Sequence, residues 1–355
     1  MLRKTYFAAA LAAVFISTVI GQTNSATPAS ATFDADGTAH ITRTVPMPPT
    51  ISPEAQTWLE SLNQQKVGPP ESLADRRTRT DAWRKMDSAE ALKLYPANVE
   101  EIIMAGVRTD VITPKGDPRN SVSQNDRVLI NLHGGGFNSD SGSLIEGVPI
   151  ANLAKIKVVS VYYRLAPENP FPAAVDDAVA VYKELLKTYQ PHNIGIYGTS
   201  AGAALTAEVA IRLKQLGLPL PSALGFFSGM ADFSRVGDSR RMFALSGLPG
   251  RMESFDSSHL PDDEYIAKTD RKSPALSPLF ADLHGMPPTL LITSTRDILL
   301  SDTSTFHRAL LSAGDDAQLV VFEALPHAFW YHFNFPETTE ALRIMADFFD
   351  RKVGR

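Results

Sequence analysis

Ile194-Gly195-Ile196-Tyr197-Gly198-Thr199-Ser200-Ala201-Gly202-Ala203 is the stretch on which the reading of this chain turns. Residues 194–197 have the compact apolar character of a buried strand, and the helical stretch that begins at Ala201 is stopped by Gly217, a residue suited to a left-handed C-terminal cap. Between strand and helix, Gly198-x-Ser200-x-Gly202 demands a turn so sharp that the serine is forced into a strained backbone conformation. Bulkier residues two positions either side would collide with the neighbouring strand and helix, and the two glycines remove that collision. A lone Gly-x-Ser-x-Gly string is a weak signal. Its strand-turn-helix context makes it strong, because that context lifts the Ser200 hydroxyl to the carboxyl edge of a sheet and sets a helix N-terminus beneath it.

Outward from this turn, strands alternate with helices from about Val99 onward. Apolar runs at 128–132, 158–162, 194–197, 223–227, 290–293 and 319–322 have the length and composition of buried parallel strands, with helix candidates at 173–189, 201–216, 303–313 and 337–353. That alternation predicts a parallel sheet with helices on both faces. Two regions break it. Ahead of the sheet, Ser52-Pro53 offers an N-cap and a first-turn proline for a helix with Trp58, Leu59 and Leu62 on one face. A second helix is expected over 72–93, with Trp83, Met86 and Leu92 buried. Residues 230–273 carry many charges and no clean strand, as an insertion would.

Three further pieces emerge at the same sheet edge as Ser200. His133-Gly134-Gly135-Gly136-Phe137 follows the run 128–132, and its glycines let backbone N–H groups turn outward, as a developing oxyanion requires. Gly135 and Gly136 are the expected donors from this loop, with Ala201 donating from the elbow. His133 is expected to brace the loop. A serine hydroxyl needs a histidine base, and the base needs an orienting carboxylate. Of eight histidines, His40 lies in an N-terminal linker, His192 precedes the elbow strand on the opposite edge, His259 and His284 sit in irregular segments, and His307 falls within a helix. His327 follows the run 319–322 in a loop at the required edge, with His332 as its rival. Asp297 leaves the run 290–293 at that edge, giving the chain order Ser, Asp, His; Asp302, one helical turn on, is the alternative. Glu168, Asp176 and Asp177 are read as structural or solvated.

The 355 residues are 44% apolar and 21% charged with a net charge of −5, enough for one large domain or two modest ones. The chain has no cysteine, which excludes a disulfide scaffold, a thiolate metal site and a cysteine nucleophile. Its mildly acidic balance argues against nucleic-acid binding. At the N-terminus, Arg3 and Lys4 precede an apolar run from Phe7 to Ile20, shorter than the roughly 20 residues that span a bilayer. Small residues follow it. A cleaved export signal over 1–21 is expected, then a flexible linker over 22–50 rich in Thr, Ala, Ser and Pro.

With these pieces in place, the chain resembles the hormone-sensitive-lipase-like family of α/β-hydrolase esterases, also called bacterial lipolytic family IV. The resemblance runs from about Val99 to the C-terminus. It rests on His133-Gly134-Gly135-Gly136-Phe137, Tyr163-Arg164-Leu165-Ala166-Pro167-Glu168 with Phe171-Pro172-Ala173-Ala174, the elbow, Ser277-Pro278-Leu279, Asp297, and His327-Ala328-Phe329. The family elbow usually reads G-D-S-A-G-G, so Thr199 and Ala203 are departures, and Thr199 points to a branch that carries threonine there. Ile298 stands where proline is usual, and Ala328 where glycine is usual. The resemblance implies an α/β-hydrolase fold: a mostly parallel eight-stranded sheet flanked by helices, with a helical cap from 51–97 and from the insertion at 230–273, the catalytic domain itself covering 98–355. It implies hydrolysis of short- to medium-chain acyl esters by Ser200, His327 and Asp297, without metal or cofactor. Lactones or acetyl esters are the alternative substrates, and a non-catalytic binding protein is the alternative class. The partner is a small-molecule ester, with no nucleic acid and no stable membrane insertion after signal cleavage; a homodimer stays open, and the place of action is the periplasm or outside the cell.

Overall fold

The computed structural model describes residues 30–42, 45–64, 71–115, 126–242, 245–246, 251–252 and 263–354, divided into two units, residues 1–47 and 48–355. The export signal expected over 1–21 lies outside the described residues. In the first unit, β1 (Ser30–Phe33) and β2 (Ala39–Thr42) pair antiparallel across a turn in which Gly37 takes φ +90° and Thr38 N–H donates to Asp36 Oδ1 at 2.9 Å. A short hairpin thus occupies part of the stretch read as flexible linker. Its strand residues are all exposed, so no apolar alternation marked them.

In the second unit, α1 (Pro53–Gln64) buries Trp58, Leu59 and Leu62, as its stripe predicts. The Ser52 hydroxyl accepts from Ala55 N–H and donates to Glu337, which ties this helix start to the C-terminal end of the chain. The next helix, α2 (Leu73–Leu94), is capped by Ser72. Its buried positions are the small residues Thr80, Ser88 and Ala91, while Met86 is 67% exposed and Trp83 and Leu92 are half-buried. The expectation that Met86 is buried is therefore corrected: this helix packs through a close-approach stripe of small side chains, and Met86 falls on the opposite face.

The hairpin β3 (Ala97–Met104) and β4 (Val107–Pro114) then starts the main sheet, turning through Ala105 and Gly106 at positive φ. Following are β5 (Val128–Leu132), α3 (Ser143–Ala154), β6 (Lys157–Val161), α4 (Ala173–Leu185), β7 (Ile194–Thr199), α5 (Ala201–Gln215) and β8 (Ala223–Phe227). The insertion contributes α6 (Asp238–Met242), the two-residue strands β9 (Leu245–Ser246) and β10 (Arg251–Met252), and α7 (Asp263–Ile266). The chain closes with β11 (Thr289–Ser294), α8 (Leu300–Ser312), β12 (Ala317–Phe322) and α9 (Pro336–Lys352). Eight strands form one sheet in the order β12-β11-β8-β7-β5-β6-β4-β3, parallel throughout except that β4 runs against both its neighbours.

The period of two along each strand feeds two cores. Ile130 and Ile196 enter the cluster that includes Val181 of α4, Leu205 of α5 and Phe306 of α8. On the other face Gly195 leaves room for Phe349 of α9, beside which α3 also packs. Because six consecutive strands of the sheet point the same way, the residues after β5, β7, β8, β11 and β12 all leave at one edge.

Candidate active site

The elbow is built as its sequence requires. Ser200 sits between β7 and α5 at φ +61°, ψ −121°, and its N–H donates to Phe227 O of β8 at 2.9 Å. A Cβ added to Gly202 would lie 1.8 Å from Leu132 O, and one added to Gly198 would lie 2.3 Å from the same atom. Neither position can carry a side chain without parting β5 from the elbow. Gly202→Ala is therefore expected to cost about 3 kcal/mol of stability, read as a lower guanidinium midpoint. Gly217→Ala meets no atom within 4 Å and pays only for its φ of +63°, about 1 kcal/mol. Equal losses at the two positions would contradict this account of the elbow.

The glycine loop after β5 folds back on itself beside the elbow. Gly135 and Gly136 take φ +111° and +60°, and Gly135 O accepts from Ser139 N–H and from the Ser139 hydroxyl. A Cβ on Gly134 would stand 3.4 Å from Ser200 Cβ, so the loop lies against the nucleophile turn. His133 braces the loop: it is buried, stacks on Tyr163 with centroids 4.1 Å apart, and donates from Nδ1 to Gly134 O at 2.8 Å. From α2, Arg77 reaches the same region, donating to Asn138 O and Ala166 O and pairing with Glu168 at 2.8 Å. Asp177 pairs with Arg164. Both carboxylates are structural, as expected.

Asp297 and His327 are brought together. His327 Nδ1 donates to Asp297 Oδ1 at 2.9 Å, both side chains being buried. Asp297 accepts three more hydrogen bonds: from Leu299 N–H at 2.9 Å, from Thr293 Oγ1 at 2.9 Å and from Ser228 Oγ. Burial by itself raises the Asp297 pKa, but the His327 charge and these hydrogen bonds outweigh it and hold the carboxyl below its ordinary value. The two loops are stitched to each other, since Ser294 Oγ donates to Leu325 O and Ala324 N–H donates to Thr295 Oγ1. Ala328, where the resemblance expects glycine, adopts the left-handed φ of +54° that glycine would enter freely.

The competing residues sit elsewhere. His332 packs against Trp58 with centroids 4.7 Å apart, and burial pushes its pKa down to about 4. Asp302, in the first turn of α8, lines a separate cavity with Asp232 and Arg308, where burial, opposed by Arg240 and reinforced by Asp232 and Asp297, raises it to about 7. His40 pairs with Asp34, His284 with Asp282, and His307 points to Ala317 O. His259 lies outside the described residues.

Ser200 and His327 share the wall of a cavity of about 120 Å³ with Gly136, Phe137, Ala201, Met230, Arg240, Ile298 and Leu299. A hydroxyl, a carboxylate-oriented imidazole and a helix N-terminus thus face one small space. Residues 129–331, which hold all of these groups, match the family described as alpha/beta hydrolase fold. The chain belongs to that family. It is 33% identical over 238 residues to an acetyl-hydrolase of Streptomyces hygroscopicus, spanning 65% of this chain and 78% of that protein. It is 32% identical over 271 residues to an esterase of Acinetobacter venetianus, spanning 72% and 84%. Among solved structures, an esterase at 31% identity superposes with TM-score 0.75 over 88% of this chain and 98% of its own. An esterase of the bacterial hormone-sensitive lipase family, at 28% identity, superposes with TM-score 0.72 over 85% and 99%. This alpha/beta hydrolase is thus a carboxylic-ester hydrolase of the hormone-sensitive-lipase type.

Sequence reasoning missed the groups that hold Asp297 from behind. Ser228 directly follows β8 and takes φ +47°, a second strained serine at the same edge. Its place after the run 223–227 was the available signal. Thr293, the fifth residue of β11, carries no signal beyond its place in an apolar strand.

Proposed function

We propose that this hydrolase cleaves short-chain acyl esters through an acyl-enzyme on Ser200. The observation that carries the reading is the 2.9 Å bond from His327 Nδ1 to Asp297 Oδ1, which in the neutral imidazole keeps the proton on Nδ1 and leaves the Nε2 lone pair as the base in the cavity that Ser200 also lines. Ser200 Oγ attacks the ester carbonyl carbon as its proton passes to His327 Nε2. The carbonyl oxygen takes the negative charge and is stabilised by the N–H groups of Gly135, Gly136 and Ala201. Collapse of the tetrahedral intermediate breaks the bond to the alcohol oxygen, which receives the proton from His327. Water, deprotonated by the same imidazole, then adds to the acyl carbon, and its collapse returns the proton to Ser200 and frees the acid.

Chain length follows from the walls. A space of about 120 Å³ bounded by Phe137, Met230, Arg240, Ile298 and Leu299 favours an acetyl or butyryl group over a long chain. The acetyl-hydrolase name of one relative points the same way. Thr199 supports placement in the threonine-bearing branch. Across p-nitrophenyl esters from acetate to palmitate, kcat/KM is expected to peak at four carbons or fewer and to drop by about 10² or more by twelve. A maximum at long chains would overturn the substrate assignment, and lactones tested alongside would reveal the alternative.

A further inference from the structure

Glu146 stands in the first turn of α3 with no exposed surface, and no step of the proposed reaction uses it. Its carboxylate gathers hydrogen bonds from the machinery around it. Thr199 Oγ1, on the residue before Ser200, donates to Glu146 Oε1. Asn131 Nδ2, two residues before His133, donates to Glu146 Oε2 at 3.0 Å. Thr199 Oγ1 itself accepts from Trp330 Nε1 at 3.2 Å, three residues after His327. We propose that Glu146 is a positioning residue that, acting through Thr199, sets Ser200 in register with both the glycine loop and the His327 loop. This rests on the serine-hydrolase reading above.

As a carboxylate, Glu146 can only accept, which fixes the direction of the bonds that reach it. Trp330 has only an N–H to give, so it occupies the acceptor side of the Thr199 hydroxyl and leaves that proton for Glu146. Because the carboxylate accepts, Asn131 turns its NH₂ to Glu146 and its Oδ1 to Ser160 Oγ, 3.2 Å away, a hydroxyl that also reaches Ser143 O at 3.0 Å. A buried carboxylate is costly unless it is hydrogen-bonded, and an apolar side chain would fill this helix position at lower cost. What the carboxylate adds is a fixed rotamer for Thr199, whose backbone leads directly into the φ of +61° at Ser200.

The titratable groups facing Glu146 are Tyr197 from β7 and Tyr331 from the turn after His327. Burial and then the Glu146 charge push both phenols well above 10, so neither exchanges a proton near neutrality. Asp140, which also acts on Tyr331, is buried but held below its ordinary value by His133, Arg84 and Ser143. Burial raises Glu146 to about 7 against the opposing bonds from Thr199, Asn131 and Trp330. Above that pH the carboxylate accepts from both donors. Below it the neutral carboxyl keeps one accepting oxygen but must donate from the other, so one of the two bonds has to reverse.

The test compares Glu146→Gln, Thr199→Val, the double variant and Thr199→Ser with wild type, measuring kcat and KM on p-nitrophenyl acetate from pH 5.5 to 9 together with thermal midpoints. Glu146→Gln and Thr199→Val are each expected to lower kcat roughly 10- to 100-fold with KM within about threefold. The double variant should be no worse than the poorer single, since both break one bond. Thr199→Ser, which keeps the hydroxyl, should recover most of the loss, and the pH profile of kcat in Glu146→Gln should differ from wild type by the loss of the Glu146 step near pH 7. A kcat within threefold of wild type in both single variants would overturn the proposal. So would losses that multiply in the double variant, follow the thermal midpoint and are not recovered by serine. If Glu146→Gln does not fold, the near-isosteric Thr199→Val against Thr199→Ser decides alone. Failure of the serine-hydrolase reading would appear separately, as wild-type turnover that survives Ser200→Ala.

Discussion

Ser200→Ala is expected to lower kcat/KM on p-nitrophenyl butyrate by roughly 10⁵-fold, with secondary structure and thermal midpoint essentially retained. The size of the loss follows from what remains. Without the hydroxyl no acyl-enzyme forms, and the glycine loop and cavity can assist only direct attack by water. The fold should not suffer, because the constraints that define the turn are backbone ones: Gly198 and Gly202 against Leu132 O, and Ser200 N–H to Phe227 O. Alanine keeps the last of these. Turnover within tenfold of wild type would mean that some other nucleophile works in this chain.

Asp297→Asn should lower kcat by about 10⁴ at neutral pH, the second-largest effect. Four donors converge on this carboxylate: His327 Nδ1, Leu299 N–H, Thr293 Oγ1 and Ser228 Oγ. An asparagine must turn its NH₂ toward one side or the other. Facing His327, it requires Nδ1 as acceptor, so the proton moves to Nε2 and the base toward Ser200 is lost. Facing Ser228 and Thr293, it sets a donor against two hydroxyls that must reverse. Asp302→Asn is the control: its carboxylate lines another cavity, and activity should change less than threefold. The depressed pKa of Asp297 also fixes a sign. A carboxyl held below its unfolded value contributes stability that is present above about pH 4 and lost as pH falls through the lower folded value, so loss of activity between pH 5 and 7 belongs to other groups.

The parts of this architecture that were legible in the sequence share one property: they are buried on both faces or sterically unique. Central strands such as Ile194–Thr199 read as apolar runs because helices cover both sides of the sheet. Gly198, Ser200 and Gly202 were legible because the turn admits almost nothing else, and His327 and Asp297 because a parallel sheet delivers strand ends to one edge. The β3–β4 hairpin was not singled out, since an edge strand with half its residues exposed carries a diluted pattern. Helix α3 was missed for the opposite reason. It is buried almost all round, with Gly147 pressed toward Ile112 and Ser160 and Pro149 inside it, so no amphipathic stripe exists to be read. Glu146 was hidden with it. Met86 is large and apolar yet exposed, because α2 packs through its small residues, a feature that apolar size does not reveal.

The central claim is that Ser200 is a nucleophile activated by His327. It is tested most directly by treating the protein with a fluorophosphonate and mapping the adduct by mass spectrometry. The account predicts one equivalent of label on the peptide containing Ser200, with labelling slowed by orders of magnitude in His327→Ala. An unlabelled protein, or label on another residue at an undiminished rate in His327→Ala, would contradict it.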